Sequence, residues 1–112
     1  MAKLRDLARM TTATTGAGTI TLGSAVSGFL SFAAAGVNDG DTVRYAIDDG
    51  SNREAGSGVY TAAGTTLSRN VSASTNSNSA INLSGSAQVF IAASARDFAG
   101  AKVAAQAGLG GL

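Results

Sequence analysis

A chain of 112 residues with a formal net charge of +1 is sized for one domain. It carries neither the strongly basic footprint of a nucleic-acid binder nor the self-repulsion of a disordered polyelectrolyte. It has no histidine, no cysteine and one glutamate, which excludes Ser–His–Asp and Cys–His catalysis, disulfides and thiolate metal sites. Its 45% hydrophobic content overstates the core, because 23 residues are alanine and Leu, Ile, Val and Phe together also number 23. A thin core without cross-links is marginal in a small domain, so the composition favours completion by a neighbouring subunit.

The opening, MAKLRDLARM, is too short and too charged for a secretory signal. Leu4, Leu7 and Ala8 have the spacing of one or two helical turns, and an extended arm on a partner suits the segment equally. Asp6 interrupts Lys3, Arg5 and Arg9, so this is a poor nucleic-acid arm. Thr11–Thr15 and Thr19–Leu22, joined across Gly16-Ala17-Gly18, read as a hairpin with Ile20 and Leu22 on one face. Gly23 and Gly28 bracket a loop, and Phe29-Leu30-Ser31-Phe32 brings the first aromatic pair. Ala33-Ala34-Ala35 suits one helical turn stopped by Gly36.

Asn38-Asp39-Gly40-Asp41 is a strong turn signal. Thr42 to Asp48 alternates cleanly, with Val43, Tyr45 and Ile47 facing one way and Arg44, Ala46 and Asp48 the other. Asp49-Gly50 marks the next turn. Arg53 to Ala62 is a second alternating run, in which Gly56 and Gly58 signal a bulge or a close backbone approach. Gly64 turns into a strand from Thr65 to Val71, where parity puts Arg69 beside Leu67 and requires a sheet edge or a partner for it. Ser72 to Ser79 is polar, low-complexity sequence and reads as an exposed loop. Ile81–Leu83 is a short strand, and Ala87–Ala92 is apolar enough to be central. From Ala93 the composition shifts to alanine and glycine, which reads as a tail. No run of about 18 apolar residues suggests a transmembrane helix.

Little of this carries chemistry. Paired carboxylates could be drawn from Asp39, Asp41, Asp48, Asp49 and Glu54, but turn formation explains the first four as well. Asn38–Asp41 offers oxygens to Ca²⁺ but lacks the later bidentate glutamate of a calcium loop. The lone GxG steps at Gly16 and Gly56 fall short of a phosphate-binding pattern. Tyr45 and Tyr60 with Arg44 and Arg69 suggest a glycan or single-strand platform, though two tyrosines at strand parity read better as core or interface. The residues therefore predict a small antiparallel β-sandwich or flattened barrel of about seven strands. An N-terminal arm spans 1–10, the β domain 11–92 and a C-terminal tail 93–112.

The segment from Asp6 to Ile91 resembles a small β module that recurs in virion structural proteins of tailed bacteriophages. DLARMTTATTGAGTITLG, GFLSFAAAGVNDGDTVRYAIDDG, EAGSGVYTAAGTTLSRNV and the final AQVFI carry the resemblance, which covers about three quarters of the chain. Arg53 departs from it, standing where a bulky aromatic often precedes the glutamate, and the residues after Ala92 lie outside it. The resemblance implies a non-enzymatic structural protein of the virion, without a cofactor. Capsid decoration (cement) protein is the first expectation, a neck or tail-fibre attachment component the second and a receptor- or glycan-binding module the third. Expected partners are further copies of the chain, a trimer being favoured, and virion proteins such as the major capsid protein. The composition shifts place the expected contacts at the ends: Leu4, Arg5, Leu7 and Arg9, and Phe98, Val103 and Leu109.

Overall fold

The computed structural model describes residues 7–92, which form an all-β, antiparallel structure with no helix among them. The elements are β1 (Arg9–Thr12), β2 (Thr15–Gly16), β3 (Ile20–Ala25), β4 (Thr42–Asp49), β5 (Asn52–Thr61), β6 (Thr66–Leu67), β7 (Asn70–Ser74), β8 (Leu83–Ser84) and β9 (Gln88–Ile91). Strands β4-β9-β1-β3-β6-β5 follow in order, and β5 pairs back onto β4, so the sheet closes on itself. The seventh strand, β7, is added to β5, and β2 and β8 form a separate two-stranded ladder. The flattened-barrel expectation is realised in this form, and closure removes most of the sheet edges on which chains aggregate.

The strand with the cleanest alternation is the spine. In β4, Val43, Tyr45 and Ile47 point inward and are almost fully buried. A tight Gly50-Ser51 turn pairs it with β5 along its whole length, from Thr42↔Val59 to Asp49↔Asn52, with Gly50 at φ +68°. Its other edge takes β9, which also pairs with β1 and is therefore central as expected. Phe32 and Val37 from the β3–β4 connection, and Ile81 from the β7–β8 connection, complete the core beside Ile20, Leu22, Leu67, Leu83 and Val89. The Phe32 and Tyr60 rings meet at 6.1 Å. The Ser31–Val37 stretch makes the single turn read from its alanines, with Gly36 at φ +104°.

Four sequence readings are corrected. Met10, placed in the 1–10 arm, lies in β1, and with Ala8, one of the residues of the possible helical turn, it belongs to the core, so part of the segment read as an arm is barrel wall. Gly23 lies inside β3 rather than at a loop boundary. The strand read through Thr65–Val71 is broken at Ser68-Arg69 into β6 and β7, both on the same side of β5. Ser72–Ser74 belongs to β7, so only Thr75–Ser79 of the polar stretch is loop. Strand pairing explains the first, because Ala8 and Met10 gain partners on both flanks from Leu30, β3 and β9. Close packing explains the second, since a Cβ on Gly23 would stand 2.7 Å from the Thr11 hydroxyl of β1. The expected tail, with Phe98, Val103 and Leu109, and the contacts Leu4 and Arg5 lie outside the described residues.

Candidate interaction face and its buried support

The broken strand has a physical cause in its neighbour. A Cβ on Gly56 would stand 2.2 Å from the Asn70 carbonyl oxygen, and one on Gly58 would stand 2.1 Å from that of Ser68. The glycines thus admit the 68–70 backbone against the inner side of β5, and a register shift between Ala55 and Gly56 accompanies it. Both readings of this glycine pair, bulge and close approach, are realised. The inward kink carries Arg69 into the core, where its side chain is 2% exposed beside a Glu54 side chain that is fully buried.

Every donor of that guanidinium is used. Nε donates to Glu54 Oε2 at 3.0 Å and Nη2 to Glu54 Oε1, while Nη2 also reaches the Ile81 carbonyl at 2.9 Å. Nη1 donates to the carbonyls of Gly16 and Gly18 at 3.3 and 3.1 Å. Glu54 accepts in addition from the Tyr45 hydroxyl at 2.7 Å and from the Ile81 N–H at 2.9 Å. A charge buried with this many partners is a cross-link, tying β5 to the β2–β3 turn and the β8 approach. No donor is left over for a substrate. Parity left Arg69 either a sheet edge or a partner; the kink gives it the partner, and Glu54 in that role was not identifiable from the sequence.

The cluster sets a pH window. Burial raises the Glu54 pKa, but the bonds from Arg69, Tyr45 and the Ile81 amide outweigh it and hold the carboxyl below its ordinary 4.5. Burial, reinforced by Glu54, pushes the Tyr45 phenol well above its ordinary 10.0. A depressed acid contributes stability above its unfolded pKa and loses it as pH falls through the folded one; a raised phenol loses its contribution as pH climbs above its unfolded value. Thermal unfolding is therefore expected to plateau between roughly pH 5 and 9.5 and to fall on both sides. A melting temperature unchanged down to pH 3 would contradict the assignment to Glu54, and Glu54→Gln should flatten the acid limb.

The other acidic residues are built into turns and strand ties. Asp41 accepts from the Asn38 N–H at 2.8 Å and Asp39 from the Ala62 N–H at 2.9 Å. Asp49 accepts from the Ser84 N–H and hydroxyl, at 2.9 and 2.6 Å. Asp48 pairs with Arg53 at 3.0 Å and Arg9 at 3.6 Å. Tyr45 and Tyr60 are buried, so the platform drawn from them and the arginines does not form, and the core reading holds. Among the described residues no three acidic side chains converge on a metal-sized site.

The surface is informative in one place. Four large apolar residues are exposed among the described residues: Leu7, Phe29 and Leu30, at 61, 41 and 39%, near one another along the paired backbone, and Val59 of β5 at 43%. The first three make the candidate contact face. Backbone bonds hold them together: Leu30 N–H donates to Leu7 O at 2.7 Å and Arg9 N–H to Leu30 O at 3.1 Å. Arg9 organises the face. Its guanidinium lies 4.5 Å from the Phe90 ring centre and 5.7 Å from that of Phe29, and its Nε donates to Gln88 at 2.6 Å. Of the contacts expected at the N-terminal end, Leu7 lies on this face, and Arg9, part-exposed, braces it. Phe29 and Leu30 escaped the sequence reading. Nothing local separates Phe29 from the buried Phe32; its exposure is set by tertiary pairing such as the Ala8–Leu30 bridge.

No protein-family model matches the chain, and no curated protein and no solved structure matches it either.

Proposed function

We propose that this protein is a non-enzymatic structural component of a tailed-bacteriophage particle, a decoration protein that docks on capsid subunits through the Leu7–Phe29–Leu30 face. The observation that carries the docking is that exposed apolar face, braced by Arg9 and Phe90 on a closed barrel. The phage assignment rests on the resemblance of Asp6–Ile91 to the virion module. A barrel whose acidic groups are spent on turns and cross-links suits a rigid spacer that works by contact. Neck or tail-fibre attachment uses the same docking chemistry, and copy number separates the two positions.

Phe29→Ser with Leu30→Ser is the direct test. Both side chains are substantially exposed, so the melting temperature should barely change, surface substitutions usually staying within about 0.5 kcal/mol. Incorporation into particles should fall about tenfold or more, the effect of losing interface anchors worth roughly 2 kcal/mol. Undiminished incorporation by a folded double variant would overturn the assignment of this face.

A further inference from the structure

A second feature of the outer surface has no role in that reading. Register aligns Phe90, Ala46, Ala55 and Ala73 in one row across β9, β4, β5 and β7. The three alanines leave a shallow groove of about 320 Å³ beside Phe90, with Arg53 and Thr75 among its lining. A cavity of about 150 Å³ already accepts a benzene ring, so this groove has room for an aromatic side chain and a neighbour.

We propose that the groove is the docking site of the chain's own C-terminal segment, 93–112, with Phe98 as its anchor. The site lies where the chain leaves the barrel. Phe90 forms one wall, and two residues later the Ala92 N–H is bonded to the Arg44 carbonyl of β4 at 3.0 Å. Phe98 is six residues beyond Ala92, a reach of about 20 Å in extended chain. The row from Phe90 to Ala73 crosses three strand spacings, about 14 Å. So short a tether gives an effective concentration of order millimolar, which favours the chain's own segment over a separate ligand of equal affinity. Arg53, ion-paired with Asp48, lines the groove, and Arg96-Asp97 immediately precedes Phe98. Aliphatic residues follow at Val103, Leu109 and Leu112. This inference does not rest on the phage reading; the groove shares Phe90 with the brace of the Leu7–Phe29–Leu30 face but needs none of its three exposed residues.

The chain has no cysteine, so disulfide trapping in the full-length protein tests it cleanly. Ala55→Cys with Ala99→Cys places one thiol in the groove and one beside Phe98. Thr21→Cys with Ala99→Cys is the control, because β3 lies on the opposite side of the barrel from β4. With a mild thiol oxidant, the groove pair should close within one chain at least tenfold faster than the control, at a rate independent of protein concentration. Adding Phe98→Ala should remove most of that advantage. Equal rates for the two pairs would overturn the proposal, as would a concentration-dependent disulfide between chains as the main product. A measurement without cysteines guards against a misfolded variant: Ala55→Arg, outward on β5, should speed tryptic cleavage after Arg96 and Lys102 severalfold with the melting temperature retained. Unchanged cleavage in that folded variant would count against the proposal.

Discussion

Arg69→Ala is expected to destabilise the barrel by about 3–5 kcal/mol, the range for removing one partner of a buried ion pair. A small domain has only about 5–15 kcal/mol of total stability, so much of the population should unfold near body temperature. The loss goes beyond Coulomb attraction. Truncation strands the fully buried Glu54 carboxylate and leaves the carbonyls of Gly16, Gly18 and Ile81 without their donor. Lysine is no substitute, since three donors on a flexible stem cannot reproduce a planar fork that serves four residues. Replacing both charges with apolar side chains should not restore stability either. The Tyr45 hydroxyl and the Ile81 N–H would still lose their acceptor, each unmet buried group costing roughly 1–3 kcal/mol. Chemical denaturation of the variants checks this. A loss below about 1 kcal/mol for Arg69→Ala would show that the pair is not the cross-link described.

Gly58→Ala is the second large effect, with an expected loss of about 3 kcal/mol, the upper part of the range for overpacking. The added methyl would lie 2.1 Å from the Ser68 carbonyl oxygen and 3.1 Å from two Leu67 side-chain carbons, and a backbone oxygen cannot swing aside as a flexible side chain can. Relief requires the 68–70 kink to move off β5, which withdraws Arg69 from Glu54. The substitution should therefore shrink the acid limb of the pH profile as well as the stability, coupling two sites that never touch. Gly50→Ala, at a positive φ but with open space around it, should cost only about 1 kcal/mol and leave the pH profile intact. Equal effects from the two glycines would contradict the packing explanation.

These residues also mark what was legible before the structure. The faces of β4, the Asn38–Asp41 turn and the central place of β9 follow from alternation, turn chemistry and continuous apolarity, all local properties. Arg69 stood out as a charge at a parity that demanded either a sheet edge or a partner. The break between β6 and β7 was not legible, because Ser68-Arg69 carries no glycine or proline; the permissive residues, Gly56 and Gly58, sit on the partner strand. A flattened barrel was one of the two architectures the alternation allowed, but which strands close it was not legible, for a similar reason. Closure depends on β4 meeting both β5 and β9, and β9 begins 39 residues after β4 ends (Gln88 against Asp49). The contact face was half legible. Leu7 and Arg9 drew attention through composition, but Phe29 and Leu30 lie in the β3–β4 connection, whose exposure is set by tertiary pairing such as the Ala8–Leu30 bridge and not by local sequence. Arg9, expected among the partner contacts, lies over Phe90 and donates to Gln88 within the barrel.

A closed barrel, an exposed apolar face and a resemblance to virion modules together make one quantity decisive: the number of copies of this chain per purified particle, by quantitative mass spectrometry against the major capsid protein. Decoration of the capsid predicts hundreds of copies, in fixed proportion to the capsid subunit. A few copies, in multiples of three, six or twelve, would contradict decoration and move the protein to the neck or fibre. Absence from particles would overturn the virion assignment altogether.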